Sequence, residues 1–477
     1  VNRQIVRLYM LVIVLFGVLV AATSWWSVLG AKGLERNPAN RRSLLEEARV
    51  KRGLIRARDG QVLARSIPES GGTFRRVYPK HDFASQTVGY SFIDLGRSGT
   101  ELFRNDQLGG KRTTFGSLLD QLRGKRREGD DLVTNVDPKA QQAAVDALAG
   151  RRGSVVVMEP ATGKVRVMVS LPQYDLNLAR KNFSQLTQQD GSPLLNRATQ
   201  AAYPPGSTFK VVTAIAALDS GKFTPDSTLS GKSPITISGV PLRNDAGEQF
   251  GDINFTTALT LSVNTFFAQV GEALGKKTMG EYMKRLGFYS KLPLDYPRSQ
   301  IATSGEFAGG NKLDPQSSQI DVGRMAIGQD KLQVTPLQMA MVASAVANGG
   351  VLVEPRLADR VVDKDGRVVE QVKGGERRVM KKSTADAITQ MMAQVVKEGT
   401  GTAGALSGIT VAGKTGTAEI DVSNGVTQPW FIAFAPVDHP RYAIAATVER
   451  DPNGGFGGTV AAPIAKAVLE TLLSEGR

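Results

Sequence analysis

Ser207 and Lys210 stand three residues apart in the run Tyr203-Pro204-Pro205-Gly206-Ser207-Thr208-Phe209-Lys210, just before an apolar stretch, VVTAIAAL. A serine hydroxyl becomes a useful nucleophile only when a neighbouring base takes its proton. At i and i+3 of a helix the two side chains share one face, so the amine is within reach of the hydroxyl. Lysine serves as that base only if burial or a nearby cation brings its pKa down from about 10.4. Ser207 also falls at the expected helix start, where free N–H groups and the helix dipole favour developing negative charge. The chemistry implied is acyl transfer through an acyl-serine.

Alone, S-x-x-K carries little weight, because composition yields such matches in a chain of this length. Its plain reading is a serine near a helix start followed by a surface lysine. Two further groups change that. Ser262 and Asn264 lie in the apolar, helix-patterned segment ALTLSVNTFFAQV, where burying a polar pair requires a reason. Lys414-Thr415-Gly416-Thr417 follows a β-like run; its glycine lets another backbone approach closely, and such an edge accepts an extended peptide as an added strand. The plain alternative there is a tight turn with a solvated lysine. S-x-x-K, S-x-N and K-T-G in this order, about 55 and about 150 residues apart, form the signature shared by penicillin-binding proteins and serine β-lactamases.

The elements that must position these residues follow from the patterning. At 477 residues the chain divides into about three structural units. From Leu8 to Leu29 it carries 22 residues without a charge, long enough as a helix (about 33 Å) to cross a hydrocarbon core. Tyr9, Trp25 and Trp26 suit interfacial anchors. A cleaved signal peptide is the competing reading, but signal h-regions run about 7–15 residues, so residues 1–30 read as a retained single-pass membrane anchor. Long domains translocate largely regardless of flanking charge, which places the remainder outside the cytoplasm.

Residues 31–150 read as a separate module. Asp59-Gly60 between short alternating runs predicts a hairpin, Tyr78–Gly110 reads as extended with many turns, and 114–131 suits an exposed linker helix. From 151 to 477 the texture changes. SVVVMEP and KVRVMVS predict a hairpin, helical patterns cover 207–220, 255–275 and 335–349, and three strands precede a closing helix. Strands at both ends of a domain with helices between them imply an α+β arrangement.

Composition excludes other chemistries. Without cysteine there is no thiol nucleophile, thiolate metal site or disulfide. The two histidines, His81 and His439, lie in no metal-ligand spacing, and no G-x-S-x-G elbow accompanies them; no metal or cofactor is expected. The net charge of +14 is spread along the chain, so nucleic acid is not an expected partner.

Along nearly its whole length the chain resembles class B penicillin-binding proteins, and within them the actinobacterial PbpA type. The resemblance rests on the anchor, on Arg52-Gly53-Leu54-Ile55 with Arg58-Asp59-Gly60, on Gly99-Thr100-Glu101-Leu102, on NRATQAAYPPGSTFKVVTA, on residues 326–350, and on Trp430-Phe431. It implies a penicillin-binding/serine β-lactamase-like domain behind an N-terminal pedestal of the dimerisation type. The implied activity is D,D-transpeptidation of peptidoglycan stem peptides, inhibited covalently by β-lactam antibiotics. The same kinship assigns Ser207 as nucleophile and Lys210 as base, and has Ser262 and Lys414 relay the proton to the leaving amine. Asn264 would orient the substrate amide, and Thr415, Gly416 and Thr417 would form the substrate-binding strand, with both threonines on the terminal carboxylate. Backbone N–H groups of Ser207 and Thr417 would make the oxyanion hole. A membrane partner, a SEDS-type glycosyltransferase, is implied because nothing before Gly153 resembles a polymerase domain. D,D-carboxypeptidase, β-lactamase and non-catalytic β-lactam-binding scaffold are the alternatives. One departure stands out: Asp330 occupies a position where relatives commonly carry glycine in G-Q-G.

Overall fold

The computed structural model describes residues 2–25, 46–111 and 128–474. Helix α1 (Asn2–Trp25) has a mean hydropathy of 2.6 over its most apolar window and buries none of its residues in the protein. Its 24 residues rise about 36 Å, which fits a single-pass membrane anchor. Trp26 and the rest of the expected span, like most of the expected linker helix at 114–131, lie outside the described residues.

The C-terminal half is built on a five-stranded antiparallel sheet. Its strands are β1 (Gly153–Met158), β2 (Val165–Leu171), β3 (Ala412–Asp421), β4 (Val426–Ala435) and β5 (Tyr442–Val448), in the order β3-β4-β5-β1-β2. The hairpin expected from sequence supplies one end of this order, and the three strands expected near the C-terminus supply the rest. Side chains alternate across a strand, and both faces are apolar. Val156, Met168, Trp430, Ile432 and Phe434 enter one core, whereas Val155, Val169, Phe431, Ala433 and Ile444 enter another. Helix α2 (Pro138–Leu148) covers the second face. Helices α3 (Lys210–Asp219), α4 (Asn264–Arg285), α5 (Pro336–Ala347) and α6 (Lys382–Lys397) pack into the first core, and α7 (Ala462–Ser474) packs beside α2. The α+β arrangement is therefore a sheet between two helical layers.

The pedestal is a six-stranded sheet running 368–371, 358–362, 131–134, 55–56, 62–68, 74–77. Its first two strands come from the C-terminal part of the chain, and α2, which precedes residue 150, packs under the catalytic sheet. The two halves thus exchange elements across the boundary expected at 150. Asp59-Gly60 makes the hairpin turn, with Gly60 at φ +89°. Between Tyr78 and Gly110, short helices at Ser85–Val88, Gly99–Phe103 and Asn105–Leu108 replace much of the extended structure expected there. Local turn residues break the pattern without specifying strands, and one of these short helices carries the buried Glu101. That carboxylate is fully buried and bonds Arg52 at 2.7 Å and Arg76 at 2.6 Å. Burial alone would raise its pKa, but the two guanidiniums hold it below the usual carboxylate value.

Candidate active site

Tyr203-Pro204-Pro205-Gly206 delivers Ser207 onto a 3₁₀ turn, Gly206–Phe209, that runs directly into α3. The Pro204 carbonyl accepts a bond of 2.9 Å from the buried Trp430 indole of β4, and Tyr203 exchanges backbone bonds with Val334. Gly206 sits at φ +52°, and a Cβ there would lie 2.6 Å from the Thr417 carbonyl oxygen and 3.0 Å from its nitrogen. Only glycine lets the Ser207 turn lie against the K-T-G-T strand this closely. The approach sets the turn that carries Ser207 against the backbone of Thr417. Ser207 remains half-buried, open to the cleft.

Lys210 is fully buried one turn on. Its Nζ donates to the Ser262 carbonyl oxygen at 2.6 Å and to Asn264 Oδ1 at 2.7 Å, and lies 3.2 Å from Ser262 Oγ. A neutral amine has two N–H groups and one lone pair. The two carbonyl-type acceptors match its hydrogens and leave the lone pair for a proton. Burial, then the charge of Lys414, push the Lys210 pKa well below its ordinary value, opposed by Asp245.

The helical pattern expected over 255–275 breaks at this point. A short helix ends at Thr260, α4 begins at Asn264, and Ser262 between them has φ +61°. A serine held in the left-handed region costs of order 1–3 kcal/mol, and here the break turns the Ser262 carbonyl onto Lys210. Asn264 is fixed from its other end, its Nδ2 donating to the Arg243 carbonyl at 3.2 Å.

The third wall is β3, which pairs with β4 on one side only. Lys414 is fully buried, its Nζ donating to the Thr415 carbonyl at 3.1 Å, and burial brings its pKa down to about 7. A Cβ on Gly416 would meet the Pro205 carbonyl oxygen at 2.7 Å, so this residue too serves close approach. Thr417 Oγ1 accepts from the Gly457 amide at 3.1 Å and is half-buried. Thr415 is turned inward and shares a 2.6 Å bond with Thr400 Oγ1. All eight expected site residues therefore meet on three converging walls. The histidines do not: His439 is exposed in the turn between β4 and β5, and His81 pairs with Asp175 in the pedestal half.

Several contributors come from outside the three motifs. The Gly328 carbonyl accepts from the Gly206 amide at 3.0 Å, placing the 328–330 loop against the Ser207 turn. Asp330 holds φ +65° there without glycine, because Asp tolerates this conformation and its carboxylate accepts from the Asp321 amide and pairs with Lys331. Thr400 and Asp245 come from distant loops.

Residues 153–470 match the family model of the penicillin-binding protein transpeptidase domain. The chain belongs to that family. Residues 52–132 match the penicillin-binding protein A dimerisation domain, which makes it a class B member. Peptidoglycan D,D-transpeptidase PbpA of Mycolicibacterium smegmatis is 34% identical over 504 residues, spanning all of both chains. Peptidoglycan D,D-transpeptidase MrdA of Escherichia coli K12 is 31% identical over 77% of this chain and 63% of its own. Among solved structures, the ceftriaxone acyl-enzyme complex of penicillin-binding protein A from M. tuberculosis superposes with a TM-score of 0.81. It is 31% identical and covers 90% of this chain and 100% of its own. As a penicillin-binding protein, the chain carries its S-x-x-K, S-x-N and K-T-G groups where the three walls meet.

Proposed function

We propose that this protein is a membrane-anchored peptidoglycan D,D-transpeptidase, with Ser207 as nucleophile and Lys210 as general base. The observation that carries the assignment is the buried Lys210 amine, its two hydrogens taken by Ser262 and Asn264 one turn after Ser207. Ser207 Oγ attacks the carbonyl of the penultimate D-alanine while its proton passes to Lys210. The oxyanion forms against the Ser207 and Thr417 amides. As the C–N bond to the terminal D-alanine breaks, the proton reaches the leaving amine by way of Ser262 and Lys414. An amine on a second stem peptide then attacks the acyl ester, gives its proton back through the same groups, and restores Ser207. Asn264 orients the donor amide. Thr417, the more open hydroxyl of β3, receives the terminal carboxylate, with Thr415 behind it.

A β-lactam carbonyl meets the same nucleophile and leaves a stable acyl-serine. The anchor sets the catalytic half on the extracytoplasmic face, where stem peptides are presented, and the pedestal serves a multi-pass glycosyltransferase partner of the SEDS type. Fluorescent-penicillin labelling tests the assignment. The wild type becomes covalently labelled and Ser207→Ala does not; a labelled Ser207→Ala protein would overturn the nucleophile. Turnover of the penicillin without a lasting adduct would instead identify a β-lactamase.

A further inference from the structure

Two walls of the cleft are joined from behind by one short segment. The Gly399–Thr400 turn follows α6, about 135 residues after Ser262 and just before β3. Thr400 donates its backbone N–H to the Thr260 carbonyl at 3.4 Å, two residues before Ser262. Its Oγ1 lies 2.6 Å from Thr415 Oγ1, next to Lys414. A Cβ on Gly399 would fall 2.3 Å from the Thr260 carbonyl oxygen, so the turn is pressed against the end of that helix. Gly458 adds a contact from the β5–α7 side, where a Cβ would lie 2.5 Å from the Thr400 carbonyl oxygen.

The supported segment is one that needs support. Ser262 is held at φ +61° between two helices, and such a conformation persists only where the surroundings over-determine it. Leu259 and Val263 bury their side chains in the core on its inner side, while an open cleft of about 370 Å³, lined by Thr256, Thr257, Thr260, Leu261, Gln394 and Glu398, runs along its outer side. The same strut reaches the other lysine. Thr415, fixed by Thr400, carries the carbonyl that accepts from Lys414 Nζ at 3.1 Å.

We infer that Thr400 is a positioning residue for the acyl transfer: as a strut between Thr260 and Thr415 it sets the spacing of Ser262 from Lys414. It touches no reacting atom. The inference rests on the assignment of Ser207 and Lys210 above and adds to it the element that keeps their proton-relay partners in register.

The test measures acylation by a fluorescent penicillin as a function of antibiotic concentration and pH, on the full-length protein. Thr400→Val keeps the shape and removes the hydroxyl. It should lower the limiting acylation rate about tenfold, the scale of one hydrogen bond, with a smaller change in the half-saturating concentration. It should also displace the pH–rate profile, because Lys414 is no longer held. Thr400→Ser should recover the wild-type rate to within about threefold. Thr415→Val, which breaks the same bond from the other side, should reproduce the loss, and the double variant should be no slower than either single one. If Thr400→Val folds poorly, Thr415→Val alone, which leaves the Thr400 turn unchanged, still tests the bond. Wild-type rates and pH profiles in Thr400→Val or Thr415→Val would overturn the strut. Labelling of Ser207→Ala would instead overturn the underlying assignment, so the two failures are distinguishable.

Discussion

Lys210 Nζ lies 2.7 Å from Asn264 Oδ1, a neutral acceptor facing an amine that must itself be neutral to act. Replacing this amide by a carboxylate keeps the size and reverses the electrostatics. An anion this close stabilises the ammonium and raises a lysine pKa by about 1–3 units. Asn264→Asp should therefore move the acidic limb of the acylation profile upward by about 1–3 pH units and cut the rate at pH 7 by about 10- to 1000-fold. Asn264→Ala, which adds no charge, should slow acylation without so large a displacement. Pre-steady-state labelling across pH 5–9 separates the two.

Lys414 acts on Lys210 in the opposite sense. Its positive charge is, after burial, the second influence lowering the Lys210 pKa. The base works only when deprotonated, so a higher pKa means a smaller active fraction at any given pH. Lys414→Met should shift the acidic limb upward and reduce acylation at pH 7 by about 10²- to 10⁴-fold, since it also removes a relay group. Lys414→Arg keeps the cation and should leave the limb near its wild-type position while still slowing the reaction. A limb that moves equally in both variants would mean that charge is not the cause.

Gly206 ties the nucleophile turn to β3 and has no room for a methyl group. At φ +52° alanine is strained, and its Cβ would lie 2.6 Å from the Thr417 carbonyl oxygen. Gly206→Ala should push the turn off the strand and part the two amides of the oxyanion hole. The expected loss is about 10²- to 10³-fold in acylation, the scale of one misplaced oxyanion donor, with destabilisation of about 1–2 kcal/mol from the left-handed backbone. Thermal unfolding and labelling measured on one preparation check both.

What the sequence conveys of this site is its local part. Ser207 with Lys210, and Lys414 with its strand, are readable because spacing within one element decides what they face. The Ser262 break is not readable, because ALTLSVNTFFAQV is apolar enough to continue a helix and the groups that meet the break, Lys210 at Ser262 and Thr400 at Thr260, come from other elements. Thr400 meets Thr260 across 140 residues, a proximity no local pattern encodes. The strand at 358–362 pairs with residues 131–134 for the same reason: register across such a separation is set by the folded sheet. Asp330 shows the converse, since its departure from glycine was visible in the sequence and its consequence was not. The side chain sustains the left-handed turn that the glycine would have supplied.

The pedestal offers a prediction on stability that leaves chemistry aside. Glu101 is fully buried between Arg52 and Arg76. Removing its charge strands two guanidiniums, and breaking such a buried pair costs about 3–5 kcal/mol. Glu101→Ala should lower the stability of the pedestal by that amount in denaturant titration. Penicillin acylation, carried by the other sheet, should remain within about twofold of wild type below the transition.

Glu306 is the one fully buried carboxyl whose two oxygens both lack a partner among the described residues. Burial, then Asp330, raise its pKa to about 8, with Lys331 opposing. The folded protein therefore keeps this proton up to about pH 8, whereas the unfolded chain releases it near 4.5. Between those values the unfolded state binds fewer protons, so stability falls as pH rises, and the loss is complete above pH 8. Glutamine cannot ionise and removes this slope. Its amide brings an unsatisfied donor that costs the same at every pH, so the informative quantity is the difference between two pH values. Relative to wild type, Glu306→Gln should gain about 1–3 kcal/mol between pH 5 and pH 8.5 in unfolding free energy. Parallel stability curves across that range would mean that Glu306 is ionised in the native protein and has found a cation, for which Lys331 would be the group to examine next.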